Sequence, residues 1–192
     1  AGVLRAVPSA GGGAPPGHRL AVYRPIDLDG PAPIVLYIHG GAFHILSKDT
    51  HWVMGLAFAS RGYVVFNVSY RLAPQHPFPA AVEDVARAYG WLVEHAASYG
   101  GDLDRLVIAG ESAGATLTTS LTLCTVSPRP EPFARAVYDT GVVPRAAIPA
   151  CGVFQVTDME RYARRKPRFP SFLSDRFREM QHAYLGPHLA EA

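Results

Sequence analysis

Two periodicities alternate along the chain. Continuous apolar runs stand at Ile34-Val35-Leu36-Tyr37-Ile38, at Tyr63-Val64-Val65-Phe66-Asn67-Val68 and at Leu106-Val107-Ile108-Ala109. Short unbroken runs of this kind predict strands covered on both faces. Helical repeats separate them. Asp49 or Thr50 can cap a helix through about Ser60, closed by Gly62 at a C′ position. From Ala80, residues Val82, Val85, Tyr89, Leu92 and Ala96 fall on one stripe, and that helix ends by Gly100-Gly101. A further helical pattern runs from Ala115 to Val126. Strands and helices in this alternation predict a largely parallel sheet with helices on both faces.

The flanking stretches read less simply. Residues 1–17 are turn-rich, with Gly11-Gly12-Gly13 and Pro15-Pro16 marking a loop. Leu20 and Val22 alternate with Arg19 and Ala21, which predicts a half-exposed strand ending before Pro25. Prolines stiffen the connection from Tyr70 to Pro79 and the turn from Ser127 to Pro132. Ala146 to Val156 predicts another apolar strand, broken by Pro149 and ending at Thr157-Asp158. Arg161, Arg164, Arg165, Lys166 and Arg168 then form a basic run, and Phe172 to Tyr184 has a weak helical period ahead of a polar tail.

Candidate chemistry sits where two of the strands stop. Gly110-Glu111-Ser112-Ala113-Gly114 joins the Leu106–Ala109 run to the helix that follows. A serine on a tight strand-to-helix turn needs small neighbours, and Gly110 and Gly114 remove side chains where close packing forbids them. The helix behind Ser112 turns its partially positive N-terminus toward negative charge developing there. The strand ending at Ile38 delivers His39-Gly40-Gly41-Ala42-Phe43. Taken alone, that stretch reads equally as a tight turn needing positive φ. Beside a later G-x-S-x-G it reads as a loop whose backbone N–H groups converge on one point. In open parallel sheets, sites form at the carboxyl ends of strands, where both motifs stand.

Composition narrows the function classes. The chain has 192 residues, 48% hydrophobic and 18% charged, which fits one domain, and no run is long enough to span a bilayer. A net charge of +2 argues for no nucleic-acid or membrane partner. The basic run lacks interleaved aromatic residues and reads as a solvated face. Cys124 and Cys151 lie in apolar runs without metal-ligand spacing, which predicts buried free thiols and no metal site. No signal-peptide pattern follows Ala1, and a cytoplasmic location is the default, although a signal removed before Ala1 would leave no trace.

With these stretches in place, the chain resembles the hormone-sensitive-lipase-like branch of the α/β hydrolases. The likeness is carried by His39-Gly40-Gly41-Ala42, by Tyr70-Arg71-Leu72-Ala73-Pro74 with His76-Pro77-Phe78-Pro79-Ala80-Ala81, and by Gly110-Glu111-Ser112-Ala113-Gly114, in the family's order. One departure is Ala42, where the family usually has a third glycine; an alanine still supplies the backbone N–H. The resemblance implies an α/β-hydrolase fold with a mostly parallel central sheet and helices on both faces. It also implies hydrolysis of short-to-medium acyl esters. Ser112 would be the nucleophile and form an acyl-enzyme, and the N–H groups of Gly41, Ala42 and Ala113 would form the oxyanion hole. His39 would shape the loop, with Gly40, Gly110 and Gly114 in support, and Arg71, Glu83 and Asp84 would anchor the long connection. Phe43, His44 and Phe154 are candidate pocket residues beside the alternative that they are plain core. The partner is a small-molecule ester; no cofactor or metal is implied, and oligomeric state is left open.

The resemblance also shows what these residues lack. In this fold the triad runs Ser, then Asp or Glu, then His, with acid and histidine after the last two strands. Only His182 and His188 follow Ser112, both in a polar stretch, and Asp158 is an outside candidate for the acid. The expectation is a single α/β-hydrolase domain over residues 1–192, incomplete at both ends, without the family's N-terminal cap and last strands. In a serine protease, losing the histidine costs about 10⁶ in turnover, so this stretch alone is expected to hydrolyse activated esters only at trace rates. A second reading is a ligand-binding protein on the same scaffold without a working triad.

Overall fold

The computed structural model describes residues 2–6, 19–166 and 168–191. Among the described residues, six strands form one sheet: β1 (Val3–Ala6), β2 (Leu20–Pro25), β3 (Ala32–Ile38), β4 (Val64–Val68), β5 (Gly101–Glu111) and β6 (Ala146–Ala150). Their order across the sheet is β1-β2-β4-β3-β5-β6. The pairs β1–β2 and β2–β4 are antiparallel, while β4–β3, β3–β5 and β5–β6 are parallel. The apolar runs occupy β3, β4 and β5, as the patterning predicts. Ile34, Leu36, Ile38, Val64, Phe66, Val68, Leu106 and Ile108 are all buried.

Helices cover both faces. α1 (Trp52–Ala59) lies over Ala21, Tyr23, Val35, Tyr37 and Val65. α2 (Ala80–His95) and α3 (Ala113–Val126) pack on the opposite face with α4 (Pro132–Tyr138). Val82, Val85, Tyr89, Leu92 and Ala96 are buried, so the stripe read from α2 is its core face. α1 starts later than its candidate caps. Its N-cap is His51, without a side-chain cap bond, because Asp49 is paired with Lys48 at 2.7 Å and Thr50 bonds back to Ser47.

Several expectations need correction. Val3–Ala6 is not loop but an edge strand, paired to β2 from Val3↔Pro25 to Ala6↔Val22; residues 7–18, which hold the glycine triplet and Pro15-Pro16, fall outside the described residues. β2 is not half-exposed: Ala21 and Tyr23 are as buried as Leu20 and Val22, because α1 covers their face. The α2 helix passes into a 3₁₀ turn capped by Gly100, as expected, and β5 begins at once with Gly101; between its pairings Asp102↔Pro33 and Leu106↔Ile34, residues 103–105 bulge from β5. α4 follows the Ser127–Pro132 turn, started by Pro132 in a position where its missing N–H costs nothing. β6 stops at Ala150, short of Thr157-Asp158, because Cys151 turns the backbone to φ 54. Pro149 does not break it. β6 is the outer strand among the described residues, where a missing donor is tolerated. Cys124 is buried as expected, but Cys151 is exposed.

The last third also packs more than its polarity suggests. α5 (Arg161–Arg165) is short and has no buried residue; Arg164 pairs with Asp158 and Arg161 donates to Gln155. α6 (Ser171–Leu185) matches the weak helical period of Phe172 to Tyr184, the turn Gly186–Glu191 follows it, and Met180, Tyr184 and Leu185 are buried. Tyr184 stacks on Phe43 with ring centroids 3.7 Å apart, and the Phe78 N–H donates to the Tyr184 carbonyl at 2.6 Å.

Candidate active site

The parallel pairing of β3 with β5 places the two small-residue motifs together. Ile38 and Gly110 are partners in register, so the chain leaves both strands at the same level of the sheet. From β5 it turns abruptly: Ser112 has φ 50 and ψ −117, a conformation that favours glycine, and α3 begins at the next residue. Such strain persists only where the surroundings over-determine it. Here the Ser112 N–H is held by the Ala150 carbonyl at 2.9 Å, while the Ser112 carbonyl accepts from Ala115 and Thr116.

The flanking glycines answer to contact. A Cβ on Gly114 would stand 2.1 Å from the Ile38 carbonyl oxygen and 2.6 Å from that of His39. On Gly110 it would meet the Gly114 backbone at 2.5 Å. The first turn of α3 therefore lies directly on the end of β3, and only a residue without a side chain lets it.

The loop after β3 bends in the left-handed region over three consecutive residues, with φ 116 at Gly41, 51 at Ala42 and 68 at Phe43. Ala42 and Phe43 carry this strain with side chains, which the expectation of a glycine-driven turn does not explain. Phe43 supplies the reason. Its ring is fully buried against Tyr184, and the Ala73 N–H donates to its carbonyl at 2.9 Å. Phe43 is thus core rather than pocket lining. Phe154 is exposed, and His44 is half-buried with a partnerless buried Nδ1 among the described residues. Among the described residues, the N–H groups of Gly41, Ala42 and Ala113 donate to no protein acceptor.

His39 is fully buried below this loop, stacked on Tyr70 at 4.3 Å between centroids. The Tyr70 hydroxyl donates to the His39 carbonyl at 3.0 Å. The His39 Nδ1–H donates to the Gly40 carbonyl at 2.6 Å, an acceptor only, which fixes the tautomer of the neutral ring. Burial pushes the imidazole down to about 4; the Gly40 bond opposes the shift and His51 adds to it. The ring is therefore neutral at neutral pH and holds the loop rather than moving protons. Because the folded value lies below the unfolded one of about 6.5, its contribution is complete above that value and is lost as pH falls toward 4. Between pH 7 and 5 the expected loss is about 2 kcal/mol. Urea unfolding at both pH values measures it. A His39→Gln variant that loses as much stability over that range as the parent would exclude this source.

Behind the loop, the Tyr70–Pro79 connection is anchored as expected. The Arg71 backbone N–H donates to Asp84 Oδ2 at 2.8 Å, its Nε to the same oxygen at 2.9 Å and its Nη2 to Glu83 Oε2 at 2.8 Å. Asp84 holds no exposed side-chain surface.

The candidate triad partners lie elsewhere. Among the described residues, Ser112 Oγ forms no hydrogen bond with a histidine or a carboxylate. His182 is exposed on α6, and His188 lies edge-on to Phe78, 6.0 Å between ring centroids. Asp158 does not follow directly on a strand, since β6 ends at Ala150. Its carboxyl is paired with Arg164, which holds it below the usual carboxylate range. Sequence reasoning missed the contact between Glu111 Oε1 and His51 Nε2, 2.7 Å long. The acidic side chain inside the G-x-S-x-G stretch was its one visible trace.

No helix among the described residues is long and apolar enough to cross a membrane. A family model for the α/β hydrolase fold matches residues 35–191. Esterase LipI of Mycobacterium tuberculosis is 47% identical over 87 residues, 45% of this chain and 27% of that protein. Carboxylesterase NlhH of the same organism is 41% identical over 98 residues, 50% of this chain and 31% of that one. A fungal esterase structure from Rhizomucor miehei superposes with a TM-score of 0.76 over 99% of this chain and 57% of its own; at 23% identity it speaks to the fold. The chain spans less than two thirds of the length of each of these relatives. The sheet order, the two motifs on adjacent strand ends and a family model spanning most of the residues agree: the chain belongs to the α/β hydrolases, in their hormone-sensitive-lipase-like esterase family.

Proposed function

We propose that the protein to which these residues belong hydrolyses carboxylic esters, with Ser112 as the nucleophile. The observation that carries this reading is the backbone of Ser112, held at φ 50 between β5 and α3 beside three N–H groups without protein acceptors. Ser112 Oγ attacks the ester carbonyl, and the carbonyl oxygen becomes an oxyanion. The N–H groups of Gly41, Ala42 and Ala113 receive it, and one such donor contributes about 3 kcal/mol to the transition state. The tetrahedral adduct collapses to an acyl-enzyme with loss of the alcohol, and water then releases the acid. A base must take the Oγ proton and a carboxylate must orient that base. His182, His188 and Asp158 do not meet Ser112 here, so neither role is assigned to them. The names of the matched esterase and carboxylesterase support the reaction, and short-to-medium acyl esters are the proposed substrates. The chemistry calls for no metal or cofactor.

Covalent trapping tests this reading. The whole protein treated with a p-nitrophenyl phosphonate ester is expected to release one equivalent of p-nitrophenol and to carry the adduct on the peptide containing Ser112. An adduct on any other residue, with turnover lost in step, would remove Ser112 from the role.

A further inference from the structure

We propose that Glu111 and His51 form a positioning pair that locks the candidate oxyanion loop against the serine turn. The proposal rests on the reading of Ser112 as a nucleophile. Glu111 immediately precedes Ser112, and its side chain does not point away from the neighbouring motif. A Cβ on Gly40 would lie 3.0 Å from the Glu111 carbonyl oxygen, 3.2 Å from its Cγ and 3.5 Å from its Oε1. The backbone and carboxylate of Glu111 therefore both pack on the α-carbon of Gly40. That residue leads into Gly41 and Ala42.

His51 closes the arrangement from the third side. Its Nε2 donates to Glu111 Oε1 at 2.7 Å, and its ring stacks on His39 with centroids 5.5 Å apart. Its other nitrogen, Nδ1, lies 3.2 Å from the Ser47 carbonyl and 3.0 Å from Thr50 Oγ1. The Thr50 hydroxyl already gives its hydrogen to Ser47 O at 2.8 Å, so Nδ1 also faces acceptors. Both ring nitrogens thus face acceptors, and Nε2 holds the Glu111 carboxylate through a hydrogen bond to a charged acceptor. The turn that carries His51 is itself fixed. Buried Asn67 on β4 donates from Nδ2 to the carbonyls of Lys48 and His51, each at 3.1 Å. The His51 side chain is 12% exposed and that of Glu111 48%, so the link is shielded mainly from the histidine side. Three strand ends are thus tied together, β4 through Asn67, β3 through the His39 stack and β5 through Glu111. None of these bonds takes part in acyl transfer. A hydrogen-bonded clamp under the loop has its effect where geometry matters most, in the position of the oxyanion donors relative to Ser112.

Steady-state hydrolysis of p-nitrophenyl butyrate by the whole protein tests the pair. The variants are Glu111→Gln, His51→Gln, the two combined and Ser112→Ala, each with its melting temperature recorded. Each single change is expected to lower kcat about tenfold with KM within about twofold, since the loss is one of alignment and not of substrate binding. The combined variant is expected to be no slower than the slower single one, because either change alone breaks the link. General loosening of the fold does not separate kcat from KM in this way. Multiplying losses in the combined variant, or a loss in His51→Gln alone, would overturn the pair, the latter leaving charge compensation in its place. Full kcat in both singles with Ser112→Ala inactive overturns the pair and leaves the ester-hydrolase reading standing. An active Ser112→Ala overturns both. Should His51→Gln fail to fold, Glu111→Gln decides: kcat within about twofold of the parent would dismiss the proposal.

Discussion

Ser112→Ala is expected to lower p-nitrophenyl butyrate turnover by the whole protein about 10⁶-fold, the size seen when a serine protease loses its nucleophile. The substitution removes one oxygen from a half-buried side chain that forms no bond with a histidine or carboxylate among the described residues. It leaves φ 50 to be held by the same Ala150, Ala115 and Thr116 bonds. Stability should therefore stay within about 0.5 kcal/mol of the parent, so that chemistry and folding separate cleanly. What remains is the contribution of the N–H groups around the carbonyl, which polarise the ester without a nucleophile to attack it. Kinetics of the variant beside the parent, with equal melting temperatures, make the measurement. Residual turnover above about one per cent of the parent would mean that another group carries the reaction.

Asp84→Ala should cost about 3 kcal/mol of unfolding free energy, at the low end for breaking a buried pair from one side. The carboxylate has no exposed surface and accepts from both the backbone and the guanidinium of Arg71. Its removal strands a backbone donor, while Arg71, about one quarter exposed, keeps Glu83. That remaining partner is why the low end applies. The same bonds fix the start of the connection that carries Ala73, whose N–H holds Phe43 in place. Urea unfolding is the readout, and a loss below about 1 kcal/mol would show that water or Glu83 replaces the carboxylate at little cost.

The parts of the fold that patterning predicted are those decided by burial. β3, β4 and the middle of β5 are covered on both faces, and their unbroken apolar runs say so. α2 has one buried stripe and was equally readable. Where prediction failed, the deciding contact was distant in the chain. Ala21 looks neutral until α1 is laid over it, and Val3–Ala6 becomes strand only by pairing with β2. The end of β6 depends on a positive φ at Cys151, a residue type that gives no such signal. The site followed the same division. Ser112, the glycines and the loop after β3 are visible because close backbone contact leaves so few acceptable residues. Glu111 with His51 was not visible, since an exposed glutamate and a histidine sixty positions away have no pattern in common.

The contact between Gly114 and the end of β3 has a consequence for how the protein is made. The Ile38 and His39 carbonyls press on a residue that emerges from the ribosome long after them. Parallel pairing of β3 with β5 must first close the whole intervening loop, an entropic cost that local helices do not face. Until β5 docks, the Ala73 N–H can hold Phe43, but the Gly40 end of the loop lacks the Glu111 contact that packs on it. Helices α1 and α2 can form earlier from contacts near in sequence, but the two halves of the site come into being together, in one late step.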